Sequence, residues 1–231
     1  GQNGAGKTTT VKMMNGLLKP TEGDVLIGEM NTRNYTTAQV SRVVGYVFQN
    51  PDDQIFHSTV EDEVRYGPKT MKLSSEEEER RVKEALEITG MEEYRDENPM
   101  NLPLSMRKFV TIAAVIAMGT EILIFDEPTA GQDKEGNERL RKILETLHQK
   151  GRTLITISHD MEFVAANFRK VIVMARKKVV RMGTPEEIFW DFESLSRAKL
   201  KQPYVSRVCR ELGIGKNILG MEQAVEEIIN S

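Results

Sequence analysis

The sequence predicts an α/β fold with a buried parallel sheet, and three features carry that prediction. Short apolar runs at Val43–Phe48, Ile122–Phe125 and Thr153–Ile157 each lead into polar or acidic residues. Runs of this length and make-up suit strands covered on both faces. Between them lie segments of helical period, such as Val82, Ala85, Leu86 and Thr89. The chain also opens on a glycine-rich stretch that leads into a helix.

Composition agrees with that class. With 231 residues, 39% hydrophobic and 29% charged, the chain is globular and long enough for a sizeable core. The apolar middle, Phe109 to Thr120, runs 12 residues without a charge, well short of the ~20 needed to span a bilayer. Thirty-two Lys and Arg against 35 Asp and Glu, a net charge of -3, argue against bulk nucleic-acid binding. The single cysteine, Cys209, can form no internal disulfide or multi-cysteine zinc site, which fits a reducing compartment.

The first element is Gly1-Gln2-Asn3-Gly4-Ala5-Gly6-Lys7-Thr8, which fits G-x-x-x-x-G-K-[ST], the phosphate-binding P-loop. Glycines at this spacing let successive N–H groups point inward at a phosphate. Lys7 would reach the β- and γ-phosphates, and the Thr8 hydroxyl would ligate Mg²⁺. The nucleotide-binding candidates here are Gly1, Asn3, Gly4, Ala5, Gly6, Lys7, Thr8 and Thr9. A helix over Thr8 to Lys19 is expected to follow, with Val11, Met14, Leu17 and Leu18 on one face and Pro20 as its stop. A P-loop normally joins a strand to its helix, and no residue precedes Gly1 to form that strand. The sequence therefore reads as a fragment cut at the loop, its first strands missing.

The three strand ends supply the remaining chemistry. Ile122-Leu123-Ile124-Phe125 closes on Asp126 and Glu127. In an open parallel sheet such ends face the ligand. Asp126 would help hold Mg²⁺, and Glu127 could activate the attacking water. Thr153–Ile157 leads to Ser158-His159-Asp160, and His159 is the candidate contact to the γ-phosphate. Gln49, after the third run, could reach Mg²⁺ or the attacking water. His57 and His148 have no comparable setting and read as solvated.

This ordered set resembles the ATP-binding cassette (ABC) ATPases. The resemblance runs from Gly1 to about Phe189 and rests on the P-loop, Gln49, Ile122 to Glu127, the turn Ala130-Gly131-Gln132-Asp133 and His159. It implies ATP and Mg²⁺ as cofactors and a P-loop NTPase core over 1–189, with an inserted helical subdomain over about 51–117. Ser74 followed by Glu76 to Glu79 fits a capped helix start within that insert, and Gly90 fits its end. A C-terminal helical extension covers 190–231.

Phe48-Gln49-Asn50-Pro51-Asp52-Asp53-Gln54-Ile55-Phe56, followed by Thr59 to Val64, is similar to the ATPases of energy-coupling factor (ECF) importers. The resemblance implies a second ABC ATPase, a membrane scaffold whose coupling helices contact Gln49–Phe56, and a separate membrane protein that binds the substrate. Asp52 and Asp53 are suited to receive an arginine from the scaffold. It also implies a peripheral position on the cytoplasmic face of the membrane, with no nucleic acid among the partners. The cargo, a vitamin or a metal ion, stays open.

The family signature Leu-Ser-Gly-Gly-Gln is broken. An ungapped alignment gives Leu102-Pro103-Leu104-Ser105-Met106; a two-residue deletion restores Leu104-Ser105 but leaves Met106-Arg107-Lys108 in place of Gly-Gly-Gln. A helix from Lys108 to Met118 is expected behind it. A complete P-loop with a poor signature predicts an asymmetric heterodimer. Toward the C-terminus, Lys170 to Met182 reads as a β-hairpin with a solvated basic turn at Arg176-Lys177-Lys178, and Pro185 opens a short helix. Two amphipathic helices follow, one carrying Val205, Val208, Cys209 and Leu212, the other Ala224, Val225, Ile228 and Ile229. They cover either the second ATPase or this chain's own core. Two other functions stay open: a soluble ABC ATPase acting on nucleic acid or ribosomes, and an assembly module gated by ATP with little turnover.

Overall fold

A computed structural model describes residues 1–230. The chain forms two compact units, one of Gly1–Thr8 with 158–230 and one of Thr9–Ile157.

The larger unit is built on three parallel strands in the order β3 (Val44–Val47), β4 (Ile122–Asp126), β5 (Thr153–Ile157). Val44 pairs with Ile122, and Asp126 with Ile157. All of β3 and nearly all of β4 is buried, as strands covered on both faces require. Gly45 lets helix and strand approach closely: a Cβ there would lie 2.5 Å from Val115 Cγ1. Ahead of this sheet, β1 (Leu26–Ile27) and β2 (Met30–Asn31) form a small antiparallel pair. Helix α2 (Thr37–Val40) follows, closed by a Thr36–Gln39 capping box.

Between β3 and β4 lie α3 (Val60–Thr70), α4 (Ser75–Thr89) and α5 (Leu104–Ala117), which pack on one another. Ser74 caps α4 by accepting from Glu77 N–H, and Gly90 ends it at φ 62°. Its buried face is Val82, Ala85, Leu86 and Thr89, as the periodicity predicts. Arg65 of α3 binds Glu78 and Glu79 of α4 at 3.1 and 2.7 Å. Helix α5 starts at Leu104 rather than at the expected Lys108. The ring of Pro103, the N-cap, holds its own φ at -55°, and its carbonyl accepts from Met106 and Arg107 N–H, so the helical hydrogen bonds begin early. Helix α6 (Lys134–Gln149) then returns to β5, with Asp133 as its N-cap.

The first helix of the chain, α1 (Lys7–Met14), is shorter than its sequence pattern predicts. Gly16 turns the backbone at φ 76°. The Asn15 side chain accepts from Leu17 N–H at 3.1 Å. A local side-chain turn of this kind competes with helical bonding, and Leu17 and Leu18 are left exposed.

The smaller unit contains α7 (Met161–Asn167), the hairpin β6 (Val171–Ala175) and β7 (Lys178–Gly183), and α8 (Pro185–Phe189). Met161, Val173, Ala175, Ile188, Phe189 and Leu195 form its core. After α9 (Phe192–Arg197), helices α10 (Tyr204–Leu212) and α11 (Met221–Asn230) close on a cluster of Cys209, Ile218 and Ala224 with Trp190 against it. The apolar stripes of α10 and α11 thus meet each other and Trp190, within the extension itself. Leu212, Val225 and Ile229 of the same helices are exposed. Among the described residues no helix is long and apolar enough to cross a membrane.

Candidate functional site

The phosphate-loop residues Gly1 to Thr8 sit in the smaller unit, and Thr9 begins the larger one. Gly4 and Gly6 have φ of 75° and 95°, the left-handed region that an L-residue enters only at a cost. Ala5 N–H donates to Gln2 O at 3.2 Å, closing the turn. Gly1 is packed so tightly on β6 that a Cβ would fall 1.9 Å from the Met174 carbonyl oxygen. Lys7 folds back over its own loop, its Nζ donating to Gly1 O at 2.6 Å and to Gln2 O at 3.2 Å. Thr8 and Thr9 lie in the first turn of α1, while Asn3 is exposed on the loop.

The turn of the β6–β7 hairpin holds the loop from outside. Lys177 N–H donates to Ala5 O at 3.2 Å. The side chains of Arg176, Lys177 and Lys178 are exposed, as expected of a solvated tip. The main-chain contact has no signature in the sequence. Both Arg176 (φ 50°) and Lys177 (φ 62°) adopt positive φ, the geometry of a two-residue hairpin turn that ordinarily selects Asn and Gly. In the same unit His159 is exposed, between buried Ser158 and Asp160, the N-cap of α7.

The carboxylates lie in the larger unit at the C-terminal end of β4. Asp126 and Glu127 are 2% and 7% exposed. Tyr46 of β3 donates its phenol proton to Asp126 Oδ2 at 2.7 Å. Burial, with the carboxylate beside it, pushes the Tyr46 phenol above its usual range. Asp126 Oδ1 is buried and has no hydrogen-bond partner among the described residues. Glu127 takes φ 50°, an outlier for a residue with a side chain, and its N–H donates to Ile157 O at 2.9 Å. Backbone held in this region costs on the order of 1 kcal/mol or more.

Gln49 follows β3 and its side chain is exposed, while its carbonyl accepts from the buried ammonium of Lys108. Gln54 steadies the same loop, accepting from Phe48 N–H at 3.1 Å and donating to Tyr46 O at 3.4 Å. Asp52 is already ion-paired, to Arg107 Nη1 of α5 at 3.0 Å. Asp53 is exposed and accepts from Asn50. Phe56 is 76% exposed. His57, expected to be solvated, is instead half-buried, with Nδ1 3.2 Å from Glu63 Oε2. Buried Glu63 also accepts the N–H groups of Phe56 and His57 at 2.8 Å each. A glutamate in a helical pattern gives no sign of that role. His148 is exposed, as expected.

The donor set suits a hard cation. An orphaned, buried carboxylate oxygen on Asp126 is the kind of ligand or water-shell acceptor that Mg²⁺ takes, together with substrate phosphates.

The sequence pattern of the ABC transporter family matches residues 1–130. The chain belongs to the ABC transporter ATPase family. As an ABC ATPase it is similar to a putative ABC transporter ATP-binding protein of Pyrococcus furiosus, 42% identical over 99% of this chain and 86% of the relative. It is also 42% identical to the energy-coupling factor transporter ATP-binding protein EcfA of Methanocaldococcus jannaschii, over 94% of this chain and 79% of that one. Among solved structures, cbiO1 of Clostridium perfringens, described as part of the ABC transporter complex cbiONQ, superposes with a TM-score of 0.77 at 34% identity. That match covers 93% of this chain and 85% of the other. This ABC ATPase therefore has the P-loop NTPase fold and the ATP-hydrolysing activity of its family, and among those proteins it resembles the ECF transporter ATPases.

Proposed function

We propose that this chain is the ATP-hydrolysing, energy-coupling subunit of an ECF-type importer that takes up a vitamin or a metal ion. The observation that carries this is the end of β4, where buried Asp126 meets Glu127 in a strained conformation on a parallel sheet. Such strain is kept where a side chain must be aimed. In this reading Lys7, Thr8, Thr9 and the N–H groups of the loop from Gly1 to Gly6 hold the phosphates. Thr8, Asp126 and Gln49 hold Mg²⁺, which when bound offsets phosphate charge. Glu127 orients and deprotonates the attacking water, and His159 contacts the γ-phosphate. The catalytic core spans 1–189, with the helical subdomain near 51–117, and 190–231 is an extension.

The partners follow from the same reading: a second ABC ATPase, a membrane scaffold and a substrate-binding membrane protein. The loop Gln49–Phe56 is the docking site for the scaffold, supported by exposed Phe56 and exposed Asp53. Because Asp52 already carries Arg107, an incoming arginine would compete with an internal one. The chain would sit on the cytoplasmic face of the membrane, held by its partners. The exposed apolar residues Leu212, Val225 and Ile229 support a contact between the extension and the second ATPase.

The loss of signature glycines at Met106-Arg107-Lys108 favours an asymmetric pair, with turnover mainly at the site that uses this chain's Lys7 and Glu127. It also favours a second reading, an ATP-gated assembly module. ATP hydrolysis by the full-length complex with its membrane partners separates the two. Glu127→Gln is expected to nearly abolish turnover, while the matching change in the partner ATPase is milder. Equal losses from both would refute the asymmetry, and an unchanged rate in Glu127→Gln would refute the assignment.

A further inference from the structure

The segment that stands where the family has its signature turns inward in this chain. Helix α5 begins at Leu104, so Arg107 and Lys108 both fall within its first turns. Arg107 donates to Leu102 O at 2.9 Å, to Met100 O at 2.7 Å and to Asp52 Oδ1 at 3.0 Å. Lys108 reaches past it and donates to Gln49 O. Two consecutive cations of one helix thus grip the loop after β3 at two points three residues apart. Lys108 is 3% exposed. A lysine this buried needs compensation for the lost solvation of its charge. Its ammonium has the Gln49 carbonyl as a hydrogen-bond acceptor, and the carboxylates of Asp126 and Glu127 favour the charged form against the penalty of burial.

We propose that Lys108 is a positioning residue of the hydrolytic site, fixing the main chain at Gln49 and supplying an internal positive charge beside Asp126 and Glu127. Two consequences follow. The loop that carries Gln49 moves with α5 rather than independently of it. The acidic pair at the end of β4 also presents a weaker negative field to a divalent cation than two buried carboxylates otherwise would. The inference rests on the reading of Asp126 as a group that holds the metal, so the test has one readout that is independent of that reading.

The test uses the full-length chain assembled with its partners. In the nucleotide-free complex, Lys108→Met is expected to speed amide hydrogen exchange across residues 48–54 about tenfold, the loss of one buried hydrogen bond to a charged donor. Lys108→Arg, which keeps donor and charge, is expected to restore protection. In the second readout, the Mg²⁺ concentration that half-saturates nucleotide binding should fall on the order of tenfold in Lys108→Met and stay near wild type in Arg107→Met, whose side chain pairs with Asp52. Should the methionine variant fail to fold, Lys108→Gln carries the same measurements. Unchanged exchange at 48–54 together with unchanged Mg²⁺ dependence would overturn the proposal. Asp126→Asn is the control: if it leaves Mg²⁺ dependence untouched, the metal reading of Asp126 fails, and the exchange readout still decides the role of Lys108.

Discussion

Replacing Tyr46 by phenylalanine removes a single proton donor and almost nothing else. The ring, edge-on to Phe48 at 5.0 Å between centroids, keeps its place and volume, so no cavity is created. What is lost is the 2.7 Å hydrogen bond to Asp126 Oδ2. Because Asp126 Oδ1 has no hydrogen-bond partner among the described residues, the variant would leave a carboxylate 2% exposed with none among them. Hydrogen bonds to charged groups contribute about 1.5–3 kcal/mol, and stranding a buried charge lies at the upper end. Tyr46→Phe is therefore expected to lower the unfolding free energy by about 2 kcal/mol. Urea titration of the nucleotide-free protein followed by circular dichroism should show a lower midpoint with the same slope. The effect has a predictable pH dependence. Tyr46 is held protonated above its ordinary range in the folded chain, while in the unfolded chain a tyrosine ionises near pH ~10. Below that pH both states hold the proton and the full difference between wild type and variant is present. Above it the unfolded state binds fewer protons than the folded one, so wild-type stability falls and the gap to the variant closes. A loss under about 0.5 kcal/mol, or a gap that does not narrow in alkali, would refute the reasoning.

Two further substitutions probe backbone geometry. Lys177→Gly relieves a positive φ without removing the N–H that donates to Ala5 O; it should raise stability by about 1 kcal/mol, read as a higher thermal midpoint with nucleotide affinity unchanged. Gly45→Ala places a Cβ 2.5 Å from Val115 Cγ1 and 2.8 Å from Thr120 Oγ1. It should cost about 1–3 kcal/mol through overpacking between β3 and α5, and a urea midpoint equal to wild type would count against that close approach.

The strands and their polar ends were legible because parallel strands buried on both faces leave continuous apolar runs, as at β3 and at β4 up to Asp126; β5 interleaves threonines with Leu and Ile and is fully buried only at Ile157. Helix α4 was legible for a different reason: Ser74, its first-turn glutamates and Gly90 are all local signals. The phosphate loop was readable from its glycines and Lys7 alone. The partnerships within the site were not. Tyr46 and Asp126 are 80 residues apart, and nothing near either one marks the other. Glu63 sits in a helix where a solvated acid is the ordinary expectation, yet it anchors Phe56 and His57. Arg107 and Lys108 looked like damage to a motif. Their contacts depend on α5 starting at Leu104, a start that no local signal in the sequence marks.

The hairpin turn beside the phosphate loop makes its contact through a peptide N–H. Its hold on Ala5 therefore does not depend on which side chains occupy positions 176 and 177, apart from proline at 177, which has no N–H to give. Surface charge at that tip can drift freely across generations of mutation while the loop beneath it keeps its shape. In this chain the tip carries three consecutive basic residues, two of which, Arg176 and Lys177, stand where backbone preference alone would select small ones.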